Sequence, residues 1–186
     1  MSDLINSLTF EDVTLGFEEC EILKNCSFDF PLGQNSRIVF KDDRQKFFFF
    51  YGLTQVQGFL KGKYLINGVD VTQLTFEEFL PYRLKMGFGF STRGLIHNRT
   101  LKQNLELPLR FHNFLPEVQL QEWLKTCTEY FEMGEDLNKR PAEVSPSSQK
   151  ATLILRAFLL KPEMIFLDTP ELMLSGKLQA NLLQLI

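Results

Sequence analysis

The stretch from Glu143 to Glu171, EVSPSSQKATLILRAFLLKPEMIFLDTPE, constrains this chain more than any other. It reads as a loop, a helix with one apolar face, a tight turn at Lys161-Pro162 and a buried strand closed by an acid. Met164-Ile165-Phe166-Leu167 is an unbroken apolar run, the pattern of a central parallel strand covered on both faces. Asp168 stands where that run stops. In open α/β sheets, ligands collect outside the carboxyl ends of the strands. An acid there is either a metal or phosphate-site residue or an ordinary cap or turn acid, and spacing alone leaves both readings open.

A chain of 186 residues can bury one sizeable core. An apolar content of 44% excludes a disordered chain. Net charge is −3 and no dense basic stripe is present, so nucleic acid is not the expected partner. Cys20, Cys26 and Cys127 are odd in number and lack metal spacing, which predicts buried thiols in a reducing compartment. MSDLINSLTFEDV has no basic segment followed by an apolar one, so no signal peptide is expected. No apolar run nears the roughly 18 residues of a membrane helix. The expectation is a cytoplasmic protein that meets a membrane, at its inner face, only through a partner.

Along the chain, residues 8–17 and 26–30 alternate as strands and, with a turn at Pro31-Leu32-Gly33, suggest an antiparallel edge. Ser36 to Phe40, SRIVF, is predicted as a third strand. The run Phe47 to Tyr51 fits a buried helix start or a strand, and periodicity does not separate the two. Tyr64 to Ile66 is a strand entering an Asn67-Gly68 hairpin turn. Thr75 with Glu78 three residues on predicts a helix over 75–84, limited by Pro81. Met86 to Phe90 is an apolar strand. A helix bent by Pro108 is expected over 99–111. Pro116 to Met133 is the clearest amphipathic helix, with Leu120, Trp123, Leu124, Cys127 and Phe131 on one stripe. Strands therefore precede residue 91, a helical insert fills roughly 92–140, and a helix and strand close the chain, which is an α/β core with a helical subdomain.

In this order the residues resemble the nucleotide-binding subunit of ABC transporters over essentially the whole chain. FEDVTLGF resembles the family's opening strand, FPLGQNSRIVF the strand entering the phosphate loop, and GKYLINGVDV the GxVxxxGxDI segment. MGFGFSTRGLIHNRTLKQNLELPL resembles the Q-loop region, RPAEVSPSSQKATLILRAFLLKPE the signature helix, and MIFLDTPE the Walker B strand. NLELPLRFHNFLPE is closest in style to ATPases of Mce/Mla-type phospholipid transporters. The resemblance implies a P-loop NTPase-like fold with an antiparallel β edge and a helical subdomain. One domain is expected over 1–186, its core roughly 1–90 and 141–186, its helical part roughly 91–140, truncated at the C-terminal end.

Carried over residue by residue, the resemblance makes Phe17 the aromatic that stacks on adenine and Asp168 the Walker B metal acid. A phosphate loop needs glycines, a lysine and a hydroxyl on magnesium. Here it reads FKDDRQKFF. Aligned from Gly33, Lys46 takes the lysine position and Phe47 the hydroxyl position. Counted back from Gly52, Asp43 takes the lysine position. Asp42 and Asp43 lie where a polyphosphate sits, and the loop is expected to be sealed and packed against phenylalanines. The Q-loop glutamine becomes Ser91, followed by Thr92 and Arg93, which the resemblance places against a permease. The LSGGQ signature becomes Val144-Ser145-Pro146-Ser147-Ser148. Ser145 survives as a phosphate candidate, while Pro146 removes a backbone donor. Thr169 replaces the catalytic glutamate, and losing a positioned base costs about 10²–10⁴-fold in rate. No catalytic residue is assigned.

The sequence expectation is thus a degenerate subunit, a pseudo-ATPase with a structural or regulatory role in a transporter, with phospholipid as cargo. Neither ATP nor magnesium is expected unless residual binding survives at Phe17, Lys46, Ser145 and Asp168. The expected partners are a permease and a second ATPase subunit, in a homo- or heterodimer, and apolar surface from Leu178 onward is expected to need cover. The alternatives are an ATP-binding or slowly hydrolysing subunit and a free-standing interaction module.

Overall fold

The computed structural model describes residues 4–91 and 94–185. They form two compact units, one up to Arg83 and one from Leu84.

In the first unit, β1 (Leu8–Phe17) pairs antiparallel with β2 (Cys20–Asp29) on one side and with β3 (Lys61–Ile66) on the other. β3 turns through Asn67-Gly68 into the short β4 (Val69–Asp70), giving the order β2-β1-β3-β4. Asn67 and Gly68 have φ of 51° and 77°, the left-handed pair that such a two-residue turn requires. The buried face of the sheet carries Phe10. Its ring lies 5.1 Å from Tyr64, 5.3 Å from Phe30 and 5.9 Å from Phe49, all edge-on. This aromatic nucleus absorbs much of the chain's phenylalanine. The Phe47–Tyr51 run is helical and lies within α1 (Asp43–Leu53), which buries Phe48, Phe49 and Phe50. α2 (Phe76–Arg83) starts at the predicted box, in which Thr75 Oγ1 accepts from Glu78 N–H and Glu78 accepts from Thr75 N–H. It continues two residues past Pro81, because the freed carbonyl at Glu77 is on the exposed side of a short helix.

SRIVF is not a strand. Residues 36–40 form no regular element and pair with no strand among the described residues, and Ile38 and Val39 are 42% and 82% exposed. β-branched alternation supplies strand propensity, whereas a strand also needs a neighbour, which local sequence does not specify.

In the second unit, β5 (Met86–Gly89) and β6 (Met164–Leu167) run parallel in register, Met86 opposite Met164 through Gly89 opposite Leu167. β5 is buried throughout, while β6 is half-buried rather than covered on both faces. Phe88 stacks on Phe166 at 5.3 Å. The opposite face of β5 is glycine because α5 (Pro146–Phe158) lies against it. A Cβ at Gly87 would stand 2.1 Å from the Ala157 carbonyl oxygen. The helical part contains α3 (Leu101–Phe111) and α4 (Glu117–Tyr130). Leu101, Leu105 and Leu109 of α3 join Leu120, Leu124 and Phe131 in a core shared with Ile154 and Leu155 of α5. α6 (Gly176–Leu185) closes the unit. Leu178 and Leu182 are buried in the same core, while Leu183 is 72% exposed, so of the apolar surface expected to need a partner there Leu178 and Leu182 are covered within the chain. Of the cysteines, Cys127 is buried as expected, whereas Cys20 is exposed and Cys26 half-buried, because β2 is an edge strand.

Candidate functional site

The segment aligned with the phosphate loop leads into α1. A helix start presents free N–H groups and partial positive charge, the usual cradle of a phosphate. Here Asp42 is the N-cap, and its Oδ1 accepts from Gln45 N–H at 3.0 Å. That amide, helped by Arg44 at 3.2 Å, holds the carboxyl below the ordinary aspartate range. Lys46 Nζ lies 3.0 Å from Asp43 Oδ1. The lysine of the predicted site is therefore turned to a carboxylate of its own first turn. Phe47, at the hydroxyl position, packs on Tyr51 with ring centroids 3.9 Å apart. Phe17 ends β1, 59% exposed, its ring edge-on to Phe48 at 5.1 Å.

Asp168 terminates β6 and is 8% exposed. Its Oδ1 accepts from the Thr169 hydroxyl at 2.7 Å, and its Oδ2 accepts from Ser91 N–H at 3.2 Å. The structure thus brings Asp168 and Ser91 together, and Thr169 with them. Thr169 has φ of 44°, a left-handed conformation costly for a β-branched residue, held here by its hydroxyl bond to the neighbouring carboxylate. Thr92 and Arg93 lie outside the described residues. Beyond them, Arg156 Nη1 donates to Gly94 O at 2.6 Å. Burial holds the Arg156 guanidinium below its ordinary range.

A divalent cation needs several oxygen ligands with lone pairs free to face it. Both Asp168 oxygens instead face donors, and no cluster of three His, Cys, Asp or Glu side chains is present among the described residues.

Ser145 is the N-cap of α5 and accepts from Ser148 N–H at 3.1 Å. The Ser148 hydroxyl donates to Asp136 Oδ2 at 2.6 Å, so Ser145 is the donor in the 3.0 Å contact between the two hydroxyls. Its one proton is committed within the chain. Lys139 first, and then Ser148, hold the Asp136 carboxyl below its ordinary range. A second helix start thus carries a carboxylate from this protein. Sequence reasoning missed Asp136, Lys150 and Asn104. Lys150 is 1% exposed and donates to the Asp168 carbonyl at 2.8 Å. It stands four and seven residues before the buried Ile154 and Ala157, so its place on the buried face of α5 was the available signal.

No protein-family model matches the chain. It is 26% identical over 180 residues to a probable ribonucleotide transport ATP-binding protein, mkl, of Mycobacterium leprae, covering 97% of this chain and 52% of that one. It is 28% identical over 172 residues to the ABC transporter ATP-binding protein YtrE of Bacillus subtilis, covering 90% and 73%. The structure aligns with the ATP-binding cassette MJ0796, solved with ADP and Pi, at a TM-score of 0.84 and 24% identity over 96% of this chain and 80% of that one. The fold is that of an ABC ATPase cassette. The cassette's sequence relatives are ATP-binding proteins of ABC transporters. It spans about half the length of the mycobacterial relative. No helix among the described residues is long and apolar enough to cross a membrane.

Proposed function

We propose that this chain is a pseudo-ATPase, a degenerate ATP-binding subunit that serves an ABC transporter as a structural or regulatory piece. The observation that carries this reading is the start of α1, where Asp42 caps the helix and Asp43 holds Lys46. A bound phosphate would have to displace a carboxylate from the amides, take Lys46 from its partner and tolerate the charge of both acids. The α5 start repeats the arrangement, with Ser145 committed to Ser148 and Asp136 beside it. This weakens the reading of Ser145 as a phosphate candidate. Thr169 supplies no base, and its hydroxyl is bound to Asp168. The helical part, which in this reading carries the permease contact, has in contrast a well-packed core.

A membrane permease and a second cassette are the proposed partners, the pairing supported by the dimeric form in which MJ0796 was solved. The relatives are named for ribonucleotide transport, methionine import and bacitracin export, and the phospholipid cargo is supported by NLELPLRFHNFLPE alone. The competing reading, an ATP-binding subunit, is favoured by the names of those relatives and by the exposed ring of Phe17. The test is ATP turnover by the purified chain. The pseudo-ATPase predicts a rate indistinguishable from that of Asp168→Ala, whereas turnover that Asp168→Ala abolishes would refute it.

A further inference from the structure

Arg156 is a charged group that the proposed function leaves unused. It stands in the last turn of α5, half-buried against the segment that runs from Gly94 into α3. Its one hydrogen bond among the described residues runs from Nη1 to Gly94 O, at 2.6 Å. A guanidinium carries five N–H donors in a planar fork, so most of this fork has no protein acceptor. The unbonded nitrogens are open to solvent, since no side-chain nitrogen among the described residues is both enclosed and unpartnered. No carboxylate among the described residues pairs with it, and burial alone holds it below its ordinary range. Gly94 leaves one side of the fork clear. It is exposed, with φ of 111°, and a Cβ there would stand 2.8 Å from Arg156 Nη2. The charge of the neighbouring sequence has one sign. From Leu84 to Leu105 it holds Lys85, Arg93, Arg99 and Lys102 and no acid. Lys102 leans back to Glu106 at 3.7 Å, whereas the exposed Arg99 has no ion pair among the described residues. Ile96, between Gly94 and Arg99, is 38% exposed.

We propose that Arg156 and the segment from Gly94 to Arg99 form the seat for an acidic side chain, a glutamate or aspartate carried by a partner protein. A recessed planar fork takes one carboxylate with two parallel bonds, and Ile96 offers an apolar contact beside it. A bilayer surface is held instead by clusters of about four to eight Lys or Arg heads. Here Lys102 and Arg110 are tied to Glu106 and Glu117, which leaves Arg99 and Arg156 to act. The partner is the permease of the proposed function, so its identity rests on that reading, while the carboxylate chemistry is tested without a permease.

The experiment is thermal unfolding of the full chain in about 200 mM sodium glutarate, glutaramide or sodium phosphate, each against sodium chloride at matched ionic strength. Glutarate, at about five times its Kd, is expected to raise the melting temperature of the wild type by about 3 °C, and the uncharged glutaramide to leave it unmoved. Arg156→Gln is expected to lose the shift. Arg156→Lys, which keeps the charge without the fork, is expected to keep less than half of it. No glutarate shift in the wild type, or one that Arg156→Gln retains, would overturn the proposal. A phosphate shift equal to or larger than that of glutarate and lost in Arg156→Gln would also overturn it, in favour of a lipid headgroup or free phosphate. If Arg156→Gln does not fold, the comparison of glutarate with glutaramide on the wild type and on Arg156→Lys decides the matter. Sedimentation of the chain with washed native membranes tests the permease separately, since a glutarate shift without membrane binding refutes the permease and leaves the seat standing.

Discussion

Asn104 gives the most quantitative test of how this fold holds its surface. It is 1% exposed on α3, yet it is polar, and all its bonds run to the main chain of residues 96–100. Its Oδ1 accepts from Ile96 N–H at 2.7 Å, and its Nδ2 donates to Ile96 O at 3.1 Å and to Thr100 O at 2.9 Å. One amide thus reaches both polar groups of Ile96 and holds the segment from Ile96 to Thr100 that enters α3. Asn104→Leu keeps the volume and removes every one of these bonds. Ile96 O keeps its bond from Arg99 N–H and Thr100 O its bond from Asn104 N–H, so Ile96 N–H is the group that loses its partner, and a net loss of about 1–3 kcal/mol is expected. At about 2–4 °C per kcal/mol for a chain of this size, melting falls by about 6 °C. The assay is thermal unfolding followed by circular dichroism, with Asn104→Asp, which keeps the acceptor, expected between the two. A loss under about 1 kcal/mol would show that the segment is not held by this side chain.

Other consequences are as direct. Gly87→Ala forces a methyl group onto the Ala157 carbonyl, so α5 must move off β5 at a cost of about 3 kcal/mol, while Gly134→Ala, with nothing within 4 Å, serves as the neutral control in urea unfolding. Burial raises the Cys127 thiol to about 11, so iodoacetamide at pH 8 labels the exposed Cys20 and spares Cys127 until the chain unfolds. The Asp136 carboxyl is depressed from its ordinary 3.8 by Lys139 and Ser148. Its contribution is therefore full above that value and is lost as pH falls through the lower folded one. Asp136→Asn should flatten the acid unfolding profile below pH 4 and leave neutral stability less dependent on Lys139; an unchanged profile would refute the assignment.

Local features were legible in the sequence because local chemistry makes them. The Asn67-Gly68 turn, the Thr75–Glu78 box and the α4 stripe each depend on residues within a few positions of one another. The order of motifs then supplied the cassette fold, which no single motif carries. What stayed hidden depends on neighbours distant in sequence. SRIVF has the composition of a strand and no partner strand among the described residues, so it forms no regular element and its Ile38 and Val39 stay exposed. The Phe47–Tyr51 run was undecided by periodicity, and Asp42 settled it by capping a helix. Asp168 was read as a choice between site acid and cap. It is buried and bonded to Ser91, 77 positions away, and to the buried side of α5 through Lys150, which spacing within one motif does not reveal.

The central claim is that the start of α1 is closed to phosphate by Asp42 and by the Asp43–Lys46 pair. Isothermal titration of the purified chain with MgATP tests it most directly, run beside a variant carrying Asp42→Gly and Asp43→Gly. The account predicts no heat of binding for the wild type at millimolar MgATP. Saturable binding by the wild type, lost when Lys46 is changed to alanine and unimproved when the two acids are removed, would contradict it.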